Sequence, residues 1–135
     1  SSVRTRTTQA LLEGYSSLSV PKLLSSLSPN FAHKVLPASL GIPHRDKAAF
    51  AECAAGIFDT FEQFRMVPEG AFEDEVQGVV IIHARMEGTL KKNKGQWNNE
   101  CMLIVRFTED GSQVKEIEEF VDSQKALEMK RKHSP

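Results

Sequence analysis

The sequence lacks the features that direct a protein to nucleic acid or into a membrane. Its 17 basic and 18 acidic residues leave a formal net charge of −1, which gives no long-range field to attract a polyanion. Apolar runs such as Val79 to Ile82 are far shorter than the roughly 20 residues needed to cross a bilayer. The basic, polar start is not followed by the apolar stretch of a secretory signal. We expect a cytoplasmic protein with no nucleic-acid or membrane partner.

Cysteine and histidine are too few and too widely spaced for the common metal sites. The two cysteines, Cys53 and Cys101, stand apart in apolar surroundings, whereas a disulfide framework or a zinc site needs more cysteines at tighter spacing. The four histidines show neither His-x-His nor His-x-x-x-His spacing. We expect reduced core cysteines and no bound metal.

Sequence motifs for nucleotide chemistry and for the commonest serine hydrolases are also missing. The chain has no Gly-rich phosphate loop, no nucleophile elbow and no dinucleotide fingerprint. Any chemistry must therefore rely on acidic and basic side chains, without a cofactor.

Helical periodicity dominates the first half of the chain and strand alternation the second. Apolar spacing predicts helices around Leu11 to Leu18 and from Asp46 to Phe61. Between them, a short helix is predicted with Ser19 as its N-cap and Pro21 in its first turn, ending at Ser28-Pro29-Asn30. A short edge strand is predicted at Phe31 to Pro37, and a strand region is predicted to begin at Phe64. Three further strands are predicted to follow one another as consecutive hairpins: Gln77 to Leu90, Asn98 to Thr108 and Val114 to Val121. Ser123 is expected to cap a closing helix that carries Met129.

This order of elements is typical of a segregated α+β domain, here spanning residues 1–135, in which helices pack on one face of a curved antiparallel sheet. The strand from Asn98 to Thr108 is apolar on both faces across its middle. Both faces need cover, so we expect helices on one side of the sheet and a second subunit, in a homodimer, on the other.

Glu119 is the ionisable residue that strand alternation places most clearly among apolar neighbours. It shares one face of the last strand with Ile117 and Val121. Burying a charged group without a partner is costly, and a carboxyl held in such a place suits a general acid or base. A buried salt bridge, for example to Arg85, is the alternative interpretation.

The strand from Gln77 to Leu90 places Ile81, His83, Arg85 and Glu87 on one face. An apolar start followed by three ionisable groups resembles the wall of a pocket that runs from a closed bottom to an open mouth. His83 lies at the boundary, where an imidazole can change protonation near neutral pH. A histidine satisfied within the core is the alternative.

Three further residues are candidates for the same pocket. His33 alternates with Phe31 and Val35 onto one side of its extended segment and is either a site residue or a loop anchor. Glu100 suits a pocket mouth or a subunit contact. Asp122 ends the last strand and is more easily explained as an acid at the start of a helix.

Four short motifs follow one another along the chain: Phe31 to Leu40, Val80 to Met86, Asn99-Glu100, and Glu119 to Ser123. Together they resemble fungal SnoaL-like proteins of the nuclear transport factor 2-like, cystatin-type superfamily. The resemblance covers nearly the whole chain. It implies a cone-shaped curved antiparallel sheet wrapped around N-terminal helices, with the ligand inside and a dimer formed through the sheet.

The resemblance also implies a range of activities and a role for each polar residue. Related proteins act as polyketide cyclases, dehydratases or isomerases, including isomerases of fungal tetrahydroxanthone and meroterpenoid pathways. By position, Glu119 matches a pocket acid, His83 and Arg85 lie on the strand that supplies its partners, and His33 matches a loop histidine. Glu100 and Asp122 match recurrent acidic positions. Epoxide opening is disfavoured, because His83 stands where an Asp-Arg-Asp arrangement would need arginine.

We therefore predict a cofactor-independent isomerase or cyclase that acts on a phenolic or polycarbonyl polyketide-type intermediate. Proton transfer would open and reclose an oxygen ring by oxa-Michael chemistry or epimerise a xanthone-like intermediate. The predicted catalytic residues are Glu119, His83 and His33, with either Glu119 or His83 as the base. The predicted substrate-binding residues are Arg85, Glu100, Asp122 and Met129. A dehydratase on a similar substrate and a non-catalytic ligand-binding module remain open alternatives.

Overall fold

Helices and a six-stranded sheet make up residues 2–125, the part of the chain that the computed structural model describes. The helices are α1 (Val3–Ser16), α2 (Val20–Leu24) and α3 (Lys47–Phe58). The strands are β1 (Leu27–Leu36), β2 (Arg45–Asp46), β3 (Phe61–Asp74), β4 (Val79–Leu90), β5 (Gln96–Phe107) and β6 (Val114–Val121). Ser123 to Lys125 are helical, as predicted for the closing helix, whereas Met129 lies outside the described residues.

The strand order is β2-β1-β6-β5-β4-β3. Strands β3 to β6 pair as an antiparallel meander, β2 pairs antiparallel to β1, and β1 runs parallel to β6. Gly111, at φ 78°, takes a left-handed conformation in the β5–β6 turn, which favours glycine. The α+β prediction is confirmed, and so are the two consecutive hairpins formed by β4, β5 and β6.

Side-chain caps explain where the helices begin. Ser19 accepts a hydrogen bond from the backbone N–H of Lys22, and Pro21 occupies the first turn of α2. Asp46 accepts a hydrogen bond from the backbone N–H of Ala49 at 2.8 Å and so starts α3 immediately after β2. Both of these helix starts agree with the sequence-based prediction.

Two segments differ from their predicted structure. Leu27 to Asn30 begin β1 instead of ending a helix, because Leu27 is buried and pairs with Val114 of β6. The register shifts between Leu27 and Ala32, and such an irregularity accommodates Pro29 within a strand. Phe61 starts β3 opposite Leu90 and is not part of α3, which ends at Phe58.

Cross-strand register decides which residues face the helices. Ile82 of β4 lies opposite Leu103 of β5, and Leu103 lies opposite Glu119 of β6, so these three share the inner face of the sheet. Ile82 and Leu103 are fully buried there beneath helix residues such as Leu11. The inner face therefore holds the core and also presents Glu119 to it.

The residues next to these three along their strands lie on the outer face of the sheet. His83 lies opposite Met102, and Met102 lies opposite Phe120. Arg85 and Glu100 are paired on the same side. The prediction that His83 and Arg85 form a pocket wall together with Glu119 is therefore wrong, because successive residues of a strand point to opposite faces and β4 buries its other set.

Candidate active site

A buried hydrogen bond joins His33 of β1 to Glu119 of β6. The His33 Nε2 atom lies 2.9 Å from Glu119 Oε1, and the side chains are only 5% and 17% exposed. Strand pairing places them together, since Val35 lies opposite Glu119 in the parallel β1–β6 ladder and His33 is two residues earlier on the same face. The structure thus joins two residues that sequence analysis named separately.

His33 is held on two further sides. Arg45 lies directly opposite His33 in the short β1–β2 ladder, and its Nη1 atom is 3.3 Å from His33 Nδ1. The ring of Phe50, on the buried side of α3, is tilted against the imidazole with a centroid separation of 4.8 Å. The imidazole plane and both ring nitrogens are therefore fixed by neighbouring side chains.

The hydroxyl of Tyr15 lies in the same interior. Tyr15 comes from α1 and is 9% exposed, and its hydroxyl oxygen has no hydrogen-bond partner among residues 2–125. Burial, with the nearby charge of Glu119 as the next contribution, raises the pKa of the Tyr15 phenol well above its ordinary value. Tyr15 is therefore a neutral hydrogen-bond donor with an unused proton close to a carboxylate.

Cys101 and Trp97 extend this interior along β5. Burial and the charge of Glu119 raise the pKa of the Cys101 thiol to about 12, so the sulfur stays protonated and is a poor nucleophile. Trp97 packs on Phe61 and Phe64 with centroid separations of 5.5 and 6.5 Å. Its buried Nε1 has no hydrogen-bond partner in the described part of the chain. Tyr15 and Trp97 thus each carry a buried hydrogen-bond donor that has no partner within residues 2–125.

The ionisable residues of the outer face form exposed pairs. His83 Nε2 lies 2.5 Å from Glu100 Oε2, with side chains 38% and 63% exposed. Arg85 donates hydrogen bonds to Glu69 and Glu87, and these bonds raise the pKa of its guanidinium. Such exposed pairs are weakly stabilising and are explained as surface charge. These residues do not contact His33 or Glu119.

Asp122 accepts hydrogen bonds from the backbone N–H groups of Gln124 at 3.1 Å and Lys125 at 3.3 Å. This is the geometry of an acid at a helix start, the simpler interpretation offered by the sequence. The structure therefore accounts for Asp122 without a ligand.

Sequence reasoning missed Tyr15 and Arg45 as site residues. A usable signal existed for Tyr15, because a tyrosine on the apolar side of a helix needs a partner for its hydroxyl. Arg45 had no such signal, because a strand of two residues leaves no pattern to detect.

Within residues 2–125, no group of three or more His, Cys, Asp or Glu side chains could hold a metal ion. No helix in this range is long and apolar enough to cross a membrane.

Solved structures of fungal proteins share this fold. AusH from Aspergillus nidulans superimposes with a TM-score of 0.81 at 27% identity, over 90% of this chain and 84% of that one. The BvnE pinacolase from Penicillium brevicompactum gives a TM-score of 0.87 at 18% identity, over 96% and 89% of the two chains. The fold class is thus the SnoaL-like branch of the nuclear transport factor 2-like, cystatin-like proteins.

Curated relatives then identify the family. Austinoid biosynthesis cluster protein H of Aspergillus calidoustus is 32% identical over 117 residues, which cover 81% of this chain and 76% of that protein. Monooxygenase AgnL5 of Paecilomyces divaricatus is 27% identical over 121 residues, which cover 90% and 74%. No protein-family model matches the chain. On these relatives, the chain belongs to the family of SnoaL-like proteins found in fungal secondary-metabolite clusters.

Proposed function

We propose that the chain is a cofactor-independent isomerase or cyclase of fungal secondary metabolism, with Glu119 as the group that transfers the proton and His33 as its hydrogen-bond partner. The observation that carries this proposal is the buried His33–Glu119 hydrogen bond beside the unpartnered hydroxyl of Tyr15. A carboxyl, an imidazole and a free phenolic donor are the parts that enolisation needs.

Glu119 and Tyr15 carry out the reaction, while His33 holds the Glu119 carboxylate in place through its hydrogen bond. Glu119 removes a proton from a carbon atom made acidic by a neighbouring carbonyl, and the electron pair moves onto the carbonyl oxygen. Tyr15 donates its hydrogen bond to that oxygen and stabilises the dienolate or phenolate. The carboxylic acid formed on Glu119 exchanges its proton with water and then protonates a different carbon, or the opposite face of the same carbon once the intermediate has turned over in the site. The substrate is isomerised with no net gain or loss of atoms or electrons.

Ring opening and closure need the same parts. Removing the proton next to the carbonyl expels an oxygen substituent from the β-carbon as an alkoxide, and this oxygen can add back after the substrate rotates. The aromatic rings of Phe50 and Trp97 on the inner side suit a flat phenolic or polycarbonyl substrate. This supports a polyketide-type intermediate as the substrate class.

The names of the relatives suggest a second candidate function, that of a monooxygenase. Several curated relatives, AgnL5 among them, are named monooxygenases, and oxygen insertion would yield a product different from that of isomerisation. Removal of water by the same acid and base groups is a third candidate, and ligand binding without reaction is a fourth.

Product mass separates these functions in one experiment. The purified protein is incubated with a panel of hydroxylated xanthone and anthraquinone-type intermediates, and the products are analysed by chromatography with mass spectrometry. We expect a new chromatographic peak of unchanged mass. Loss of one water would support a dehydratase, and gain of one oxygen atom a monooxygenase. A substrate that binds but is recovered unchanged would support a binding module.

The outer face supports a homodimer as a further part of this proposal. Three large apolar side chains of the strands are exposed on this face: Phe72 at 66%, Met102 at 39% and Phe120 at 51%. A second copy of the chain would bury these side chains, as the apolar outer row of β5 requires.

Charge placed on this face is expected to break the dimer. Light scattering should give a dimer mass for the wild type and for Val76→Lys, since Val76 is exposed in the turn between β3 and β4. Phe120→Lys should give a monomer, because a buried unpaired lysine is costly. A monomeric wild type, or a dimer that Phe120→Lys leaves intact, would refute packing through this face.

A further inference from the structure

His33 meets two side chains whose hydrogen-bonding capacities differ. Arg45 Nη1 lies 3.3 Å from Nδ1, and Glu119 Oε1 lies 2.9 Å from Nε2. A guanidinium carries donors only and stays protonated in proteins, whereas an ionised carboxylate is an acceptor only. The ring therefore has a donor at one nitrogen and an acceptor at the other.

We infer that Arg45 is a positioning residue that holds His33 in its neutral tautomer with the proton on Nε2, which makes Glu119 the base of the pair. Because Arg45 can only donate, Nδ1 must accept and cannot carry a proton. A neutral imidazole then carries its single proton on Nε2 and donates it to Glu119 Oε1. An imidazolium would place an N–H against a guanidinium, where neither group can accept.

This inference rests on the proposed function and decides which residue removes the substrate proton. His33 has no free lone pair, since its Nδ1 is occupied by Arg45 and its Nε2 is protonated. The side-chain hydrogen bonds of Glu119 within residues 2–125 involve Oε1 alone. Its second oxygen, Oε2, is therefore available to a substrate, while His33 holds the carboxylate in place.

The surroundings of Arg45 fit this role. Arg4, Arg65, Arg85 and Arg106 each pair with a glutamate. Arg45, by contrast, has no carboxylate partner among the ion pairs of residues 2–125, and its guanidinium is directed at an imidazole.

The short strand β2 keeps Arg45 in place. Arg45 lies opposite His33, and the next residue, Asp46, lies opposite Ala32 and also caps α3. The backbone around Arg45 is therefore anchored both to β1 and to the start of a helix.

Nitrogen NMR tests the inference independently of activity. Long-range proton–nitrogen correlation spectra of ¹⁵N-labelled protein distinguish a protonated ring nitrogen from an unprotonated one. The His33 signals are assigned by their absence from the spectrum of His33→Gln. For the wild type at neutral pH, we expect a protonated Nε2 and an unprotonated Nδ1.

Substitution of Arg45 should change both the tautomer and the rate. In Arg45→Met, Nδ1 loses its donor, and we expect His33 to take up a second proton beside Glu119 or to populate both tautomers. An imidazolium would weaken Glu119 as a base. We therefore expect kcat to fall roughly tenfold with KM nearly unchanged. This loss is a part of the rate enhancement of about 10²–10⁴-fold that a positioned acid or base contributes. The control Arg65→Met, at an exposed arginine of β3, should leave the tautomer and kcat unchanged.

The possible results separate this inference from the proposed function. A wild-type spectrum with a proton on Nδ1, or on both nitrogens, would overturn the inference without the need for any variant. A tautomer unaffected by Arg45→Met would do the same. The expected tautomer in a protein that turns over none of the substrate panel would support the role of Arg45 and count against the proposed function.

Discussion

Glu119→Gln is expected to lower kcat by about 10²–10⁴-fold while substrate affinity changes little. An amide has nearly the shape of the carboxylate and still offers an oxygen to His33 Nε2, but it cannot take a proton from carbon. The effect should therefore fall on the chemical step and not on binding. Initial rates and ligand affinity measured on the same preparation test this expectation.

The adjacent residue provides a matched control. Glu118→Gln makes the same chemical change one position earlier on β6, where the side chain faces outward and accepts a hydrogen bond from Arg106. We expect kcat to remain near the wild-type value in this variant. Equal losses in the two variants would indicate a general effect of altering β6, and an active Glu119→Gln enzyme would remove Glu119 from the mechanism.

Tyr15→Phe is expected to slow the reaction and to make the protein no less stable. The hydroxyl is buried without a partner in residues 2–125, and such a group costs about 1–3 kcal/mol. Removing it should leave the free energy of unfolding unchanged or raise it by about 1 kcal/mol. In the reaction the same hydroxyl stabilises the enolate, and loss of one such donor lowers kcat by about 10²–10³-fold.

Rate and stability measured together make this test specific. Because the pKa of Tyr15 is raised, the phenol keeps its proton at neutral pH, and the variant changes hydrogen bonding without changing charge. Urea unfolding gives the stability, and initial rates give kcat. A marked loss of stability with unchanged kcat would show that the hydroxyl has a structural partner and no part in the reaction.

Much of the fold could be predicted because the local signals are strong. The period changes from helical to alternating near Phe61, and the turns between the last three strands carry charged residues and glycine. Ser19 and Asp46 mark helix starts through short polar side chains that accept backbone hydrogen bonds. Each of these signals lies within a few residues, so neither the rest of the fold nor a partner is needed to interpret it.

The orientation of β4 was misjudged because both of its faces begin with apolar residues. Val79 and Ile81 on one face look as suited to burial as Val80 and Ile82 on the other. The face of β4 that includes Val80 contains no ionisable side chain and continues through Ala84, Met86, Gly88 and Leu90. The opposite face contains three ionisable side chains: His83, Arg85 and Glu87. Comparing the whole length of both sets would have identified the inner face.

Glu119 and His33 were both candidates from the sequence, but their pairing could not be predicted, because it depends on contacts between distant segments. His33 and Glu119 are brought together by the parallel pairing of β1 with β6, which nothing local indicates. Arg45 reaches His33 through a strand of two residues. Alternation assigned Glu119 to the apolar face of β6, but only the register reveals its partner.

Deuterium uptake tests proton transfer by Glu119 most directly. Substrate is incubated in deuterated water with the wild type, with Glu119→Gln and with Glu100→Gln, whose side chain pairs with His83 on the outer face. Mass spectrometry then follows incorporation at carbon. We expect uptake with the wild type and with Glu100→Gln, and none above the uncatalysed background with Glu119→Gln. Uptake that persists in Glu119→Gln and disappears in Glu100→Gln would assign the chemistry to the outer face and contradict the interior site.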